Sequence, residues 1–221
     1  LISVYMNMEN PAIHGLEHYH HEMVMGFATL VENKDDNTGG HIRRSSAYAV
    51  LIAKNLRKND KYKNLITKDY IDNLAQSAPM HDIGKIGVPR EIINKPSKLT
   101  DEEYAIIKTH PVIGGNILKE VSEIPDIAIG ARWHHERYDG KGYPDRLKGL
   151  EIPELARIIG VADAYDAMTA MKLDESPVSE LAALRHMIDN DEIYDANTVY
   201  ALLSSINVMP PGACVELSNG E

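Results

Sequence analysis

The 221-residue sequence predicts an all-α fold, and three features support that prediction. Apolar residues recur with a helical period along most of the chain, and few runs alternate as a strand requires. Helix-start signals precede several of these segments, and glycine and proline residues separate them. We expect a bundle of about seven or more helices, with a long helix at its N-terminal side.

Breaker residues divide the first half of the chain. The pair Gly39-Gly40 ends the first helix, and the polar segment 57–64 reads as a loop. Residues 83–98 contain two glycines and two prolines, so we expect irregular structure there. The predicted helices of this half are 13–36, 41–57 and 68–80.

The second half carries clearer start signals. Thr100 followed by Glu103 fits a capping box, so a helix begins at 101. Pro111 is expected to interrupt the chain near residue 110, and the prolines at 125, 153 and 177 each suit the start of a helix. The predicted helices are 101 to about 109, 112–121, 125–133, 153–170, a helix beginning at Ser176-Pro177, and 196–206.

Composition excludes some functions. With 23 basic and 33 acidic residues, the formal charge of −10 argues against a general nucleic-acid binder. An anionic small substrate is compatible with this charge, because bound dications reverse the local field. The single cysteine, Cys214, excludes an internal disulfide and indicates a reducing, cytoplasmic setting. No apolar run reaches about eighteen residues, so we expect no membrane segment in this chain.

Potential metal ligands are concentrated in the middle of the sequence. Neutral imidazoles and carboxylates suit iron, manganese, zinc and related divalent ions. Six or seven such groups are more than one ion needs, so their number indicates a two-metal hydrolase. The candidates are His41, His81, Asp82, His110, His134, His135 and Asp163.

Several of these residues have simpler interpretations when taken singly. The His81-Asp82 pair can serve in capping or in a salt bridge, and His110 can be an ordinary loop histidine. On a regular helix the adjacent rings of His134 and His135 would point about 100° apart, although a helix end before the following loop lets them converge. Alternatively, one ring binds metal and the other binds substrate phosphate.

Two further groups of polar residues need an interpretation. Asp163 and Asp166 lie one turn apart on one helix face, so Asp166 either orients a ligand or the attacking water, or forms a salt bridge. Four histidines near the N-terminus have helical spacing, but they lack the neighbouring carboxylates and glycines that accompany the other candidates. We interpret them as part of a solvated helix face. They are His14, His18, His20 and His21.

Four strings resemble the HD-GYP family of phosphodiesterases within the HD superfamily. They are "HDIGKIGVP" at 81–89, "HP" at 110–111 with Gly114 downstream, "HHERYDGKGYP" at 134–144 and "ADAYDAMT" at 162–169. The resemblance covers roughly residues 30–206. It implies an all-helical HD-superfamily bundle that hydrolyses cyclic di-GMP to linear pGpG or GMP.

The resemblance also implies a ligand set for each ion. His41, His81, Asp82 and Asp163 would hold the first ion. Asp82, His110, His134 and His135 would hold the second, with a hydroxide between the ions as nucleophile. Iron or manganese is the expected metal, with zinc, nickel and magnesium as alternatives.

Roles near the substrate follow from the same resemblance. We expect Lys85, Asp82 and Asp166 to serve catalysis, with Lys85 neutralising an oxygen of the scissile phosphate. The expected substrate-binding residues are Lys85, Tyr143, Lys172, Arg137 and Lys141, and Tyr138 is a further candidate for the base pocket. Diguanylate cyclase domains are the expected protein partners.

Two departures from the family pattern alter these expectations. Asn37 stands where trinuclear members have a glutamate, so we predict a binuclear centre. After "DAMT" the usual basic string is replaced, with Lys172 as a point charge and Glu175 where phosphate would be repelled. The alternatives are an HD phosphohydrolase for another nucleotide or cyclic dinucleotide, and a weakly active regulatory module.

We divide the chain into a linker helix at 1–36, the HD-GYP domain at 37–206 and a tail at 207–221 that reads like a truncated strand. Because the chain starts at Leu1, we expect a fragment with a sensor or receiver domain upstream. Such a sensor can be anchored in a membrane. The first helix carries an apolar stripe that suits either a homodimeric linker or packing against the domain core: Leu16, Met23, Phe27 and Leu30.

Overall fold

The structure, a computed structural model, describes residues 11–35, 40–121, 126–170 and 177–206. Within these ranges it has ten α-helices, three short 3-10 helices and no strand, which confirms the predicted all-α bundle. The α-helices are α1 (Pro11–Glu32), α2 (His41–Leu56), α3 (Lys68–Ser77), α4 (Arg90–Ile93), α5 (Asp101–Ile107), α6 (His110–Val121), α7 (Ile127–Trp133), α8 (Glu154–Thr169), α9 (Glu180–Asp189) and α10 (Ala196–Leu203). The 3-10 helices are Ala78–Met80, Ile83–Gly87 and Gly149–Glu151.

Local start signals predicted several boundaries correctly. The Thr100 hydroxyl accepts from Glu103 N–H at 3.2 Å, and the Glu103 carboxylate accepts from Thr100 N–H at 2.8 Å. This capping box starts α5 at Asp101. Pro153 occupies the N-cap of α8, where its missing N–H costs no helical hydrogen bond.

Other predicted boundaries are wrong. The interruption predicted near residue 110 is present, but it lies before the proline, between Ile107 and His110. Helix α6 begins at His110, and Pro111 lies in its first turn, where no intrahelical N–H bond is needed. The helix predicted to start at Ser176-Pro177 begins instead at Glu180, because the Ser179 hydroxyl accepts from Ala182 N–H.

The stretches around residue 80 also differ from expectation. The helix predicted to reach residue 80 ends as an α-helix at Ser77 and continues as a 3-10 turn containing Pro79. Residues 83–98, predicted to be irregular, include the 3-10 helix Ile83–Gly87 and the short α4. The glycines of this segment led to a prediction of irregular structure, whereas a short 3-10 helix directly follows His81-Asp82.

Two apolar clusters stabilise the bundle, and α2 contributes to both. The larger cluster joins α2, α3, α8, α9 and α10, and its fully buried members include Ile52, Leu74, Ile158 and Leu202. The smaller cluster joins α1, the start of α2, α6 and α7. The predicted ligands occur on elements of both clusters, so packing of the two clusters positions them.

Helix α1 buries one face and exposes the other. Val24 and Ala28 are buried in the smaller cluster, and Val31 on the same helix is also buried. Met23, Phe27 and Leu30 are 59%, 54% and 69% exposed, so packing against the domain core is the wrong interpretation of these three residues. The predicted domain boundary at residue 36 stays a prediction, as does the homodimer.

Some predictions concern parts that the structure does not describe. These are Asn37, Pro125, Lys172, Glu175 and the tail 207–221 with Cys214, together with the side chains of Leu16, His14, His18, His20 and His21. Across the described ranges, no helix combines the length and apolar character needed to cross a membrane.

Candidate metal centre

Five separate segments bring the predicted ligands together. His41 is the first residue of α2, and His110 is the first of α6. His81 and Asp82 lie between two 3-10 helices, His134 and His135 follow the end of α7, and Asp163 lies within α8. Residues up to 122 positions apart in sequence thus meet at one place.

The side chains form two groups that share Asp82. One group is His41, His81 and Asp82, and the other is Asp82, His110, His134 and His135. Within each group, one ligand atom per residue lies within 4.8 Å of all the others. A carboxylate common to both groups is the arrangement that a pair of neighbouring ions requires.

Asp163 adjoins the first group. Its Oδ1 lies 3.2 Å from His41 Nε2 and 3.8 Å from His81 Nε2. In the second group, Oδ1 of Asp82 lies 3.2 Å from His110 Nε2 and 3.9 Å from His134 Nε2. The two oxygens of Asp82 therefore face different histidines, since Oδ2 lies 3.5 Å from His81 Nε2.

Backbone carbonyls orient three of the imidazoles. Nδ1 of His81 bonds to Ala78 O at 2.8 Å, and Nδ1 of His110 bonds to Ile107 O at 2.8 Å. Nδ1 of His134 bonds to Gly130 O at 2.9 Å. A carbonyl only accepts, so each Nδ1 carries the proton and each Nε2 directs a lone pair into the site.

His41 is oriented by a carboxylate instead. Its Nδ1 lies 2.8 Å from Asp166 Oδ2, and Asp166 also accepts from Arg44 Nε at 2.7 Å. Asp166 is buried behind His41. Asp166 thus forms a salt bridge with Arg44, as one of its two predicted roles requires, and the same carboxylate positions the ring of His41. That His41 is a metal ligand stays a prediction.

The centre contains buried polar atoms that lack a hydrogen-bond partner in the described part of the chain. They are Nε2 of His81 and Oδ1 of Asp82, which faces His110 without hydrogen-bond geometry. Buried unsatisfied groups are rare in folded proteins because their desolvation costs about 1–3 kcal/mol. A cation between these atoms satisfies both, so the residues fit a metal site.

The pKa of His41 differs in direction from those of His134 and His135. Burial lowers the pKa of His135 to about 4, and it holds the pKa of His134 well below its usual range. Burial also acts to lower the pKa of His41, but hydrogen bonds to Asp163 and Asp166 outweigh it and raise that pKa to about 10. His134 and His135 are therefore neutral at pH 7, whereas His41 carries a proton between two carboxylates.

Lys85 reaches into the centre. Its Nζ lies 2.8 Å from Asp82 Oδ2 and 3.3 Å from Asp35 Oδ2. Burial acts to lower the pKa of Lys85, yet the charge of Asp82, its hydrogen bond and the charge of Asp35 raise that pKa above its usual value. The ammonium is therefore retained at neutral pH.

A loop carries an aromatic ring to the edge of the centre. The ring of Tyr143 stacks on His135, with centroids 4.7 Å apart. Burial is the main cause that raises the pKa of Tyr143, so its phenol keeps its proton. A cavity of about 370 Å³ adjoins these rings and is lined by His134, His135, Asp163, Arg137, Tyr138 and Tyr143, among others.

Arg137 lines this cavity, and Lys141 lines a neighbouring one. Arg137 donates to Asp139 at 2.8 Å, so part of its charge is already compensated. Lys141 is 77% exposed and 3.7 Å from Asp139. Lys172 lies outside the described residues.

Sequence reasoning missed two side chains of the site. Arg44 holds Asp166, and Asp35 contacts Lys85. The position of Arg44 three residues after His41 could have indicated the first, because both side chains then lie on one helix face. The contact of Asp35 with Lys85 joins residues 50 positions apart and has no local signal.

Comparison with known proteins agrees with this geometry. A model of the HD domain family matches residues 27–198. The chain is 39% identical over 157 residues to a cyclic di-GMP phosphodiesterase of Vibrio cholerae serotype O1, covering 68% of this chain and 32% of that protein. It is 33% identical over 189 residues to the 3'3'-cGAMP-specific phosphodiesterase 3 of the same organism, covering 85% and 39%.

The fold has a counterpart among solved structures. Bd1817, an HDG"Y"P protein from Bdellovibrio bacteriovorus, superposes with a TM-score of 0.59 at 21% identity, covering 91% of this chain and 66% of that one. The resemblance expected from the four motifs is thus confirmed. The chain spans less than half the length of the two curated relatives.

Proposed function

This chain belongs to the HD domain family, and we propose that it is a metal-dependent phosphodiesterase that hydrolyses a cyclic dinucleotide. The observation that supports this most directly is the pair of ligand groups sharing Asp82. Cyclic di-GMP is the substrate we propose first, because the more similar of the two curated relatives acts on it. Linear pGpG or GMP is the product.

In this proposal His41, His81, Asp82 and Asp163 hold one divalent ion, and Asp82, His110, His134 and His135 hold another. Iron or manganese is the metal we propose, since both accept imidazole with carboxylate. Two such ions supply a water acidic enough to attack at neutral pH and neutralise phosphate charge. The protein contributes three imidazoles whose Nδ1–H groups donate to backbone carbonyls, and these hydrogen bonds restrain the rings from rotating.

Lys85 adds a positive charge of the protein's own beside the two ligand groups. Its ammonium is held within 3.3 Å of two carboxylates, so it is oriented before substrate arrives. A compact ammonium can then neutralise a phosphate oxygen as charge develops on it. Tyr143 stacks on His135 and offers an aromatic edge to a nucleotide at the cavity.

Turnover of purified protein tests this function. The protein is loaded with manganese or with ferrous iron under reducing conditions, and its metal content is measured alongside hydrolysis. Cyclic di-GMP and 3'3'-cGAMP are assayed together, because the relatives include enzymes for each. Two bound ions with neither dinucleotide cleaved would refute the proposal and favour the regulatory module.

Metal binding should release a proton from His41. The pKa of about 10 means that His41 is protonated in the metal-free protein at pH 8, whereas a metal ligand must be neutral. Apparent affinity for manganese should therefore rise with pH up to about 10, by about tenfold per unit. Calorimetry at pH 8 in two buffers of different ionisation enthalpy measures the released proton.

The control for this prediction is Asp166→Asn. Asp166 contributes one of the two hydrogen bonds that raise the pKa of His41, so its loss should reduce proton release. Equal heats in both buffers for the wild type would contradict the assignment. The predicted cytoplasmic setting, upstream sensor and diguanylate cyclase partners belong to the same proposal.

We also infer that α1 pairs with α1 of a second copy. Met23, Phe27 and Leu30 are exposed at helical spacing. A groove of about 970 Å³ is lined by Leu30 together with Met25, Val50 and Leu51. Phe27→Glu should shift the protein toward the monomer in light scattering, whereas Tyr200→Glu, an exposed aromatic on α10, should not. An unchanged mass for Phe27→Glu would contradict this.

A further inference from the structure

A second cavity lies beside the one at the metal centre. Its volume is about 630 Å³, and its lining includes Tyr104, Lys108, Lys141, Tyr143 and Arg146. Tyr104 and Tyr143 line both cavities. The Tyr143 ring is stacked on His135, so one side chain that lines this second cavity also contacts a predicted metal ligand.

The lining of this cavity is basic, although the chain has a formal charge of −10. Lys108 lies over the Tyr104 ring, with Nζ 4.7 Å from the centroid. Lys108 and Arg146 have no ion-pair partner among the residues described, and Lys141 has only a distant contact with Asp139 at 3.7 Å. The lining contains three basic side chains and no carboxylate, so an anion at this place is stabilised.

We propose that this basic pocket, formed by Lys108, Lys141 and Arg146, binds the second phosphate of the cyclic dinucleotide while the first is hydrolysed. The assignment rests on the proposed function. A cyclic dinucleotide has two phosphodiester groups, and only one can lie at the metal centre. The other must be placed nearby, and the cavity that shares Tyr143 with the metal centre offers two cations, Lys108 and Arg146, that have no ion-pair partner in the described part of the chain.

The pocket also accounts for a departure seen in the sequence. The basic string expected after residue 169 is replaced, with Glu175 at one of its basic places. Lys108, at the C-cap of α5, and Lys141 and Arg146, on the loop after His135, supply a phosphate contact from different segments. An acidic protein partner would use the same charges, and the test separates it from the substrate.

The test is the double variant Lys108→Glu with Arg146→Glu, compared with Lys58→Glu. Lys58 is exposed in the loop after α2, at the far end of that helix from His41. Affinity is measured by calorimetry with a non-hydrolysable phosphorothioate analogue of cyclic di-GMP. We expect the double variant to bind about tenfold more weakly or worse, and the Lys58 variant to bind like wild type.

Three further measurements separate loss of the pocket from loss of the metal centre or of the fold: hydrolysis of a simple phosphodiester, affinity of a neutral variant, and thermal unfolding. Hydrolysis of bis(p-nitrophenyl) phosphate, which has no second phosphate, should stay within about twofold of wild type, showing an intact metal centre. The neutral pair Lys108→Gln with Arg146→Gln, with thermal unfolding as the check of folding, should give an intermediate affinity. If the double Glu variant binds the analogue within about twofold of the Lys58 variant, the pocket is overturned and the proposed function stands. If wild type neither binds the analogue nor cleaves a cyclic dinucleotide, both proposals fall.

Discussion

Asp82→Asn should lose both metal ions and at least about a thousandfold in turnover, equivalent to roughly 4 kcal/mol of barrier. Asp82 is the residue common to both ligand groups, with Oδ1 facing His110 and Oδ2 facing His81. An amide offers one neutral oxygen in place of two charged ones, so neither group retains its full donor set. Metal content by mass spectrometry and turnover of cyclic di-GMP measure the two losses.

The matched control is Asp72→Asn, an exposed position on α3. It makes the same chemical change away from the centre and should keep both ions and full activity. Circular dichroism checks that the Asp82 variant remains folded. Two retained ions in folded Asp82→Asn protein would show that Asp82 does not join the two groups.

Gly84→Ala should destabilise the protein by about 3 kcal/mol and reduce metal binding. A Cβ at residue 84 would lie far inside van der Waals contact of His110 O and 2.5 Å from Gly114 N. Both contacts are with backbone, so no side chain can rotate away. The segment carrying His81-Asp82 would therefore be displaced from the start of α6, which carries His110.

Thermal unfolding measures this prediction, and Gly26→Ala is its control. A Cβ at Gly26, within α1, meets nothing within 4 Å. That change should be neutral or stabilising by up to about 1 kcal/mol, because alanine favours helix over glycine. A Gly84→Ala protein that unfolds at the same temperature as the Gly26→Ala protein, with its metal intact, would be inconsistent with the close approach.

Helix starts that depend on neighbouring residues could be predicted from the sequence, unless two start signals compete. The Thr100 capping box and the start of α2 at His41 follow from neighbouring residues, and both were predicted correctly. The start of α9 was wrong because two cap signals, Ser176-Pro177 and Ser179, stand three residues apart and only the second is used. The break near Pro111 was predicted correctly but placed too late, because a proline is compatible with a first helical turn and His110 is already helical.

The seven predicted ligands illustrate the same division. Their residue types and motif context identified them, and the structure brings six of them into two groups that share Asp82, with Asp163 beside the first group. Their roles as ligands belong to the proposal. The partners that orient them, such as Ala78 O for His81 and Arg44 for Asp166, depend on three-dimensional packing.

By itself, the sequence determined the helical class, the family and the identities of the metal-ligand candidates, because periodicity, capping and motif spacing are properties of neighbouring residues. The tertiary structure decided which oxygen of Asp82 faces which histidine, that His41 is charged while His134 and His135 are neutral, and that Lys108 and Arg146 share a pocket. These properties depend on distances and burial between segments far apart in the chain, since electrostatic energies vary with separation and solvent exposure.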